Sequence, residues 1–150
     1  MQAVKIKNVL QTGAVNTPCS VQGWVRTFRA NRFIALNDGS TIDNLQCVVD
    51  FERLEESLLK QITTSAALHL EGTLVESQGS GQKVELQVKK ITLLGASDPE
   101  KYPIQPKKHS LEFLREKAHL RVRTTTFSSV MRVRSALAFA VHEFFQEEGF

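Results

Sequence analysis

Cysteine is scarce in this chain. Cys19 and Cys47 are the only two. Neither belongs to a Cys-x-x-Cys motif or a Cys/His pair with ligand spacing, which argues against a zinc site. Long apolar runs are missing as well. No stretch approaches the ~20 apolar residues of a membrane span, and the N-terminal MQAVKIKNVLQ lacks the apolar run of a signal peptide. The chain therefore reads as a protein of a reducing, cytoplasmic setting, with no membrane partner. Nucleophilic pairs are missing too. No His pairs in the sequence with a plausible Ser or Cys nucleophile, so a hydrolytic triad has little support. His69 and His142 read as element-packing residues, and His109 and His119 sit in a basic stretch.

A large excess of charge is also absent. The 19 Lys/Arg and 16 Asp/Glu leave a net +3 over 150 residues. The distribution says more than the sum. Lys101–Arg134 holds nine Lys/Arg against Glu112 and Glu116. Such a stretch either faces phosphate or is solvated surface. The 41% hydrophobic and 23% charged content is that of a globular protein and excludes a disordered one.

What is present is a strand trio, VQGWVRTFRANRFIALNDGSTIDNLQCVVD, at Val21–Asp50. Its strands are expected at Val21–Arg26, Arg32–Asn37 and Leu45–Asp50, with Asp38-Gly39-Ser40 as a turn. Alternate strand residues point to opposite faces. Ile34 and Leu36 form one apolar face, and Leu45, Cys47 and Val49 another. Cys47 there acts as a small hydrophobe. Phe33 and Gln46 then point the other way. A large aromatic beside a neutral amide on the outer face suits an unstacked nucleobase, which stacks on the ring while the amide reads its edge. Arg26, Arg29 and Arg32 form a basic run beside them, suited to phosphate or base edges or to a solvated rim. Trp24 is read as a structural plug of a bent first strand, with a second stacking platform as the alternative.

Lys5–Leu10 is a short leader, expected to form one helical turn. After the trio, Phe51–Ile62 carries Phe51, Leu54, Leu58 or Leu59, and Ile62 on one helical stripe. Ala67–Val75 alternates as a fourth strand, with Leu68, Leu70 and Gly72 on one side. Glu76–Gln82, ESQGSGQ, is a flexible turn. Lys83–Leu94 is a fifth strand with Val84, Leu86 and Val88 inward and Glu85, Gln87 and Lys89 outward. Five strands with a helix between the third and fourth is the layout of an OB-fold Greek-key barrel. A plain antiparallel α+β sheet is the alternative. The fold class is thus mainly β, followed by helices.

Gly95–His109 holds three of the four prolines and reads as an extended linker. Ser110–His119 is a helix with Ser110 at its N-cap, and Thr124–Thr126 ends it. Ser128–Glu148 is a long helix with Gly149 as its stop. Its stripe of Val130, Val133, Leu137, Val141 and Phe144 lies beside a second of Met131, Ala138 and Phe145. That helix expects partners the chain does not contain, so the chain reads as a piece of something longer. The domains fall at 1–96 for the barrel, 97–110 for the linker and 111–150 for the beginning of a second domain.

Several strings carry a family resemblance. GWVRTFRANRFIALNDGS, LQCVVD and GQKVELQVKKI resemble the anticodon-binding OB domain of the aspartyl-, asparaginyl- and lysyl-tRNA synthetases. From Ile104, IQPKKHSLEFLREKAHLRVRT resembles the asparaginyl branch more narrowly. The aspartyl branch has a "RYLDLR"-like string there, absent here, and an arginine-aspartate pair where this chain has Asn37-Asp38. Ser128–Phe150 resembles the long motif 1 helix of class II synthetases. Phe33 matches the phenylalanine that stacks on the central anticodon uridine, Gln46 the glutamine that reads its edge, and Glu85 the fifth-strand glutamate that helps. Arg29 falls near an arginine of the family, with Arg26 beside it. The resemblance implies tRNA with an asparagine anticodon as partner. It also implies a homodimer in the longer parent, through Val130, Val133, Arg134, Leu137 and Val141. Motifs 2 and 3 are absent, so no catalytic residue and no cofactor is expected in this chain. ATP and magnesium would serve the longer asparagine-ligating parent. The alternatives are a general single-strand binder, an aspartyl-type relative, and an interaction module in which the long helix dimerises.

Overall fold

A computed structural model describes residues 2–50, 52, 54–79 and 81–150. It divides into two compact units, Met1–Pro106 and Lys107–Phe150. The first is a closed five-stranded barrel of order β1-β2-β3-β5-β4, with β1 Pro18–Arg29, β2 Phe33–Asn37, β3 Leu45–Val48, β4 Ala67–Glu76 and β5 Val84–Gly95. It is an OB-fold, mainly β, with a helix between β3 and β4 as expected. All neighbours are antiparallel except β3 and β5, which run parallel. Closure leaves no free sheet edge and turns each strand's apolar face onto the others. Ile34, Leu36, Leu45, Cys47, Leu68, Leu70 and Leu86 are fully buried together, with Val84 and Val49 nearly so and Val88 packed at the margin.

The first strand is longer than expected. It runs on to Arg29 because residues 29–32 form a tight hairpin, with the Arg32 N–H donating to the Arg29 carbonyl at 3.0 Å. Ala30 and Asn31 both take left-handed φ, 51° and 49°, as a type I′ turn requires. The usual Asn-Gly signal is missing, which hides this hairpin in the sequence. A register shift between Val25 and Thr27 leaves Arg26 at a bulge. A second bulge lies at Glu71/Gly72 opposite Lys90/Val88. A Cβ on Gly72 would sit 2.1 Å from the Gln87 carbonyl oxygen, so glycine alone lets β4 and β5 close there.

The N-terminal leader is more than a turn. It forms α1, Ile6–Thr12, and its Ile6 and Val9 enter the barrel core. The Asp38 carboxylate accepts the Ile6 N–H at 3.0 Å, and Ser40 Oγ accepts the Lys7 N–H at 3.0 Å. The β2–β3 loop thus caps the helix N-terminus. The helix after β3 is shorter than its apolar stripe suggested. Here α2 spans Glu56–Gln61, capped by Glu55 without a side-chain hydrogen bond. Leu54 lies in a bend, and Phe51 lies outside the described residues. Leu54, Leu59 and Ile62 still pack on the core, so the stripe reports burial beyond the helix itself.

The stretch after β5 is not uniformly extended. Thr63 Oγ1 donates to the Ser97 carbonyl, the Tyr102 N–H to the Asp98 carbonyl, and the Gln105 amide to the Pro99 and Tyr102 carbonyls. Ile104 is buried. In the second unit, α3 spans Leu111–Glu116 and Ser110 Oγ accepts the Phe113 N–H, as expected of its N-cap. A 3₁₀ turn follows at Arg121–Arg123. The long helix α4, Thr125–Glu147, starts three residues earlier than expected, because Thr124 Oγ1 caps it by accepting the Phe127 N–H. Gly149 at φ 85° ends it, and the Phe150 N–H turns back to the Phe145 carbonyl.

Candidate nucleic-acid interface

The outward faces of β2, β3 and β5 bring three of the expected residues together. Phe33 pairs with Val48 across β2 and β3, and Ala35 pairs with Gln46. Phe33, Ala35, Gln46 and Val48 therefore share one face. The parallel register of Cys47 with Leu86 and Val48 with Gln87 sets Glu85 beside Gln46. Gln46 Nε2 donates to Glu85 Oε2 at 3.0 Å. Phe33, Gln46 and Glu85 are each half-buried, which leaves part of each side chain open to a ligand.

Around this trio lie residues the sequence did not single out. Ser77 Oγ donates to the same Glu85 oxygen at 3.3 Å, and Gln82 Oε1 accepts the Gln46 backbone N–H at 3.2 Å. Both belong to the β4–β5 turn, whose composition signalled only flexibility. The Gln82 bond spans 36 residues of chain and the Ser77 bond eight, across a hairpin whose geometry no local pattern reports.

The basic run divides. Arg29 is exposed at the end of β1, opposite Phe33 in the ladder. Arg32 Cζ lies 5.6 Å from the Phe33 ring centroid, within cation–π range. Arg26 is half-buried at the bulge, separated from the others by the irregular register. A cavity of about 780 Å³ opens between β3, β5 and the segment before α2, lined by Arg32, Asp50, Glu52, Gln87 and Lys89 together with the apolar Val48, Val49, Leu54 and Val88. Trp24 is not a core plug. It is 36% exposed and stands outside the core, paired with Asn37 and Ala67. It alternates with the buried Val21 and Val25, so ordinary strand alternation turns its indole to the outer side.

Elsewhere the chemistry is quiet. Burial is the largest influence on Asp38 and pulls its pKa up, but hydrogen bonds from Ser40 and Ile6, with Lys5 nearby, outweigh it and hold the carboxyl below its ordinary value. Burial pushes the Cys47 thiol far up, with Cys19 and Glu85 adding to it, and pushes Cys19 up as well. Both thiols are free and inert. One Ser–His pair forms between β1 and β4. Ser20 Oγ is 2.7 Å from His69 Nε2, but Ser20 is fully buried, so the pair ties β1 to β4 and offers no nucleophile. Among the described residues no cluster of His, Cys, Asp or Glu could hold a metal ion, and no helix is long and apolar enough to cross a membrane.

The OB-fold nucleic acid binding domain family matches residues 19–94, which is the barrel from the start of β1 almost to the end of β5. The chain belongs to that family. Over its whole length, barrel and helices together, the chain is 51% identical to an asparagine–tRNA ligase of Parabacteroides distasonis and covers 33% of that protein. An asparaginyl-tRNA synthetase from Pyrococcus horikoshii, solved with asparaginyl-adenylate, superposes on all of this chain with a TM-score of 0.82 at 23% identity, over 35% of its own length. An aspartyl tRNA synthetase from Entamoeba histolytica gives 0.76 at 16% identity, over all of this chain and 38% of its own. At those identities the two structures speak to fold alone, and the fold is shared by both specificities. The OB domain and its following helices span about a third of the curated relative's length.

Proposed function

We propose that this chain is the tRNA-recognising part of an asparagine–tRNA ligase, and that its barrel reads the asparagine anticodon. The observation that carries it is the Gln46–Glu85 hydrogen bond at 3.0 Å on the face of Phe33. A base splayed out of an anticodon loop stacks on the Phe33 ring, while Gln46 and Glu85 meet its Watson–Crick edge. Arg29 and Arg32 stand where the adjoining backbone phosphates would pass, with Arg26 at the margin. Identity near one half to an asparagine–tRNA ligase over the whole chain supports the asparagine rather than the aspartate branch.

In the longer protein the activity would be ATP-dependent attachment of asparagine to tRNA in the cytoplasm. ATP and magnesium would be held by parts beyond this chain. Residues 1–96 would bind the anticodon, 97–110 connect, and 111–150 begin the catalytic domain. Val130, Val133, Arg134, Leu137 and Val141 of α4 would form the dimer face; all five are exposed here. The decisive experiment is binding of an asparagine anticodon stem-loop. Phe33→Ala should weaken it by about 1–3 kcal/mol, the worth of one stacked base. Wild-type binding by that variant would sink the platform assignment. Equal affinity for cognate and scrambled loops at fixed salt would point instead to a general single-strand binder.

A further inference from the structure

We propose that the β4–β5 hairpin is a positioning device for Gln46, with Ser77 and Gln82 as specificity-determining residues; this rests on the anticodon reading above. The parallel pairing of β3 with β5 begins only at Cys47 and Leu86. One residue earlier, the Gln46 backbone N–H donates to the Gln82 side-chain oxygen at 3.2 Å. Gln82 thus extends the ladder by one rung and fixes the backbone that carries the reading amide.

The amide itself is oriented by a relay. Ser77 Oγ donates to Glu85 Oε2 at 3.3 Å, and the same oxygen accepts from Gln46 Nε2 at 3.0 Å. The Ser77 N–H donates to the Lys83 carbonyl at 3.0 Å, and Ser77 Oγ accepts the Gly79 N–H at 3.3 Å, so the hairpin holds its own serine in place. A carboxylate only accepts hydrogen bonds, whereas an amide has one accepting and one donating end. Glu85 therefore turns the Gln46 NH₂ toward β5 and the carbonyl oxygen away from it. An unheld glutamine amide can rotate end for end and satisfy either an accepting or a donating base edge. A held one cannot. Uracil and cytosine differ in that respect, since N3 donates in one and accepts in the other. Discrimination between them at the central anticodon position then depends on the relay, and so on residues that need not touch the base.

The test compares the affinity of the 150-residue chain for stem-loops with uridine or cytidine at the centre. Ser77→Ala and Gln82→Ala should each cut the uridine-to-cytidine preference about 5-fold, the worth of one ordinary hydrogen bond. Thermal melting should change little, and Ser77→Thr should restore the preference. Glu85→Gln should cut it further, because the new side chain can donate and so permits the reversed Gln46 amide. An unchanged ratio in Ser77→Ala and Gln82→Ala overturns the inference. So does an equal loss against both loops. If Phe33→Ala and Gln46→Ala still impair binding in that experiment, the anticodon reading stands without it. If those two variants are also silent, both fall together.

Discussion

The barrel and helix α4 both carry regular apolar stripes, but only the barrel buries its own. Leu70 in β4 is fully buried, while Leu137 and Phe139 in α4 are 61% and 68% exposed, and no residue of α4 is buried. The difference is geometric. A closed sheet folds its inward faces onto one another, so five strands and two helices make a core among themselves. A lone helix cannot cover its own stripe. The barrel therefore supplies its own core, and α4 leaves its apolar stripe exposed.

Substitution of one leucine in each region is the strongest way to break that contrast. Leu70→Ala should cost about 3 kcal/mol in denaturant unfolding, from lost burial and the cavity left behind. Leu137→Ala should change stability by less than about 0.5 kcal/mol in dilute solution. A comparable loss at Leu137 that grows with protein concentration would mean that α4 is already covered by a second copy. Next in size is Gly72→Ala. Its Cβ has no room against the Gln87 carbonyl, and the β4–β5 ladder must shift, at a cost of about 2 kcal/mol. A neutral result would show that the bulge yields freely.

A smaller effect concerns the clasp between α1 and the β2–β3 loop. Asp38 has a folded-state pKa below its ordinary value of 3.8, so its ionised form is favoured by folding. That contribution is complete above the ordinary value and is lost as pH falls from there through the folded pKa. Asp38→Asn should be less stable than wild type at neutral pH, and the gap should narrow below about pH 4. A pH-independent gap would remove charge from the account. The smallest expected change is a gain. Ala30→Gly relieves a left-handed alanine in the β1–β2 hairpin and should stabilise the barrel by about 0.5–1 kcal/mol. A loss would mean that the entropy of the unfolded glycine outweighs the relief.

These contrasts follow the line between what local pattern reports and what it cannot. Period-two alternation assigns Ile34, Leu36, Leu45, Cys47 and Leu86 to the inside and Phe33, Gln46 and Glu85 to the outside. The structure agrees on each, because side-chain direction in a strand is a property of neighbouring residues. Capping at Ser110 and the stop at Gly149 are equally local. Trp24 obeys the same rule, and only its reading as a plug fails, whereas Arg26 and Phe28 defeat it, since a bulge changes the period at one residue and leaves no mark in composition. The entry of Ile6 and Val9 into the core and the extent of β1 were missed for a related reason. Each depends on a partner some 30 or more residues away or on a turn without its usual glycine.

The sequence by itself determined the five strands, which side chains each turns outward, and the aromatic and amide suited to a base. Only the tertiary structure decided that β3 and β5 run side by side in parallel. That pairing sets Glu85 against Gln46, hangs Ser77 and Gln82 over them, and makes separate outward residues into one oriented edge. The physical reason is range. Burial preference acts residue by residue, whereas a hydrogen bond across 39 residues of chain exists only once the barrel has closed.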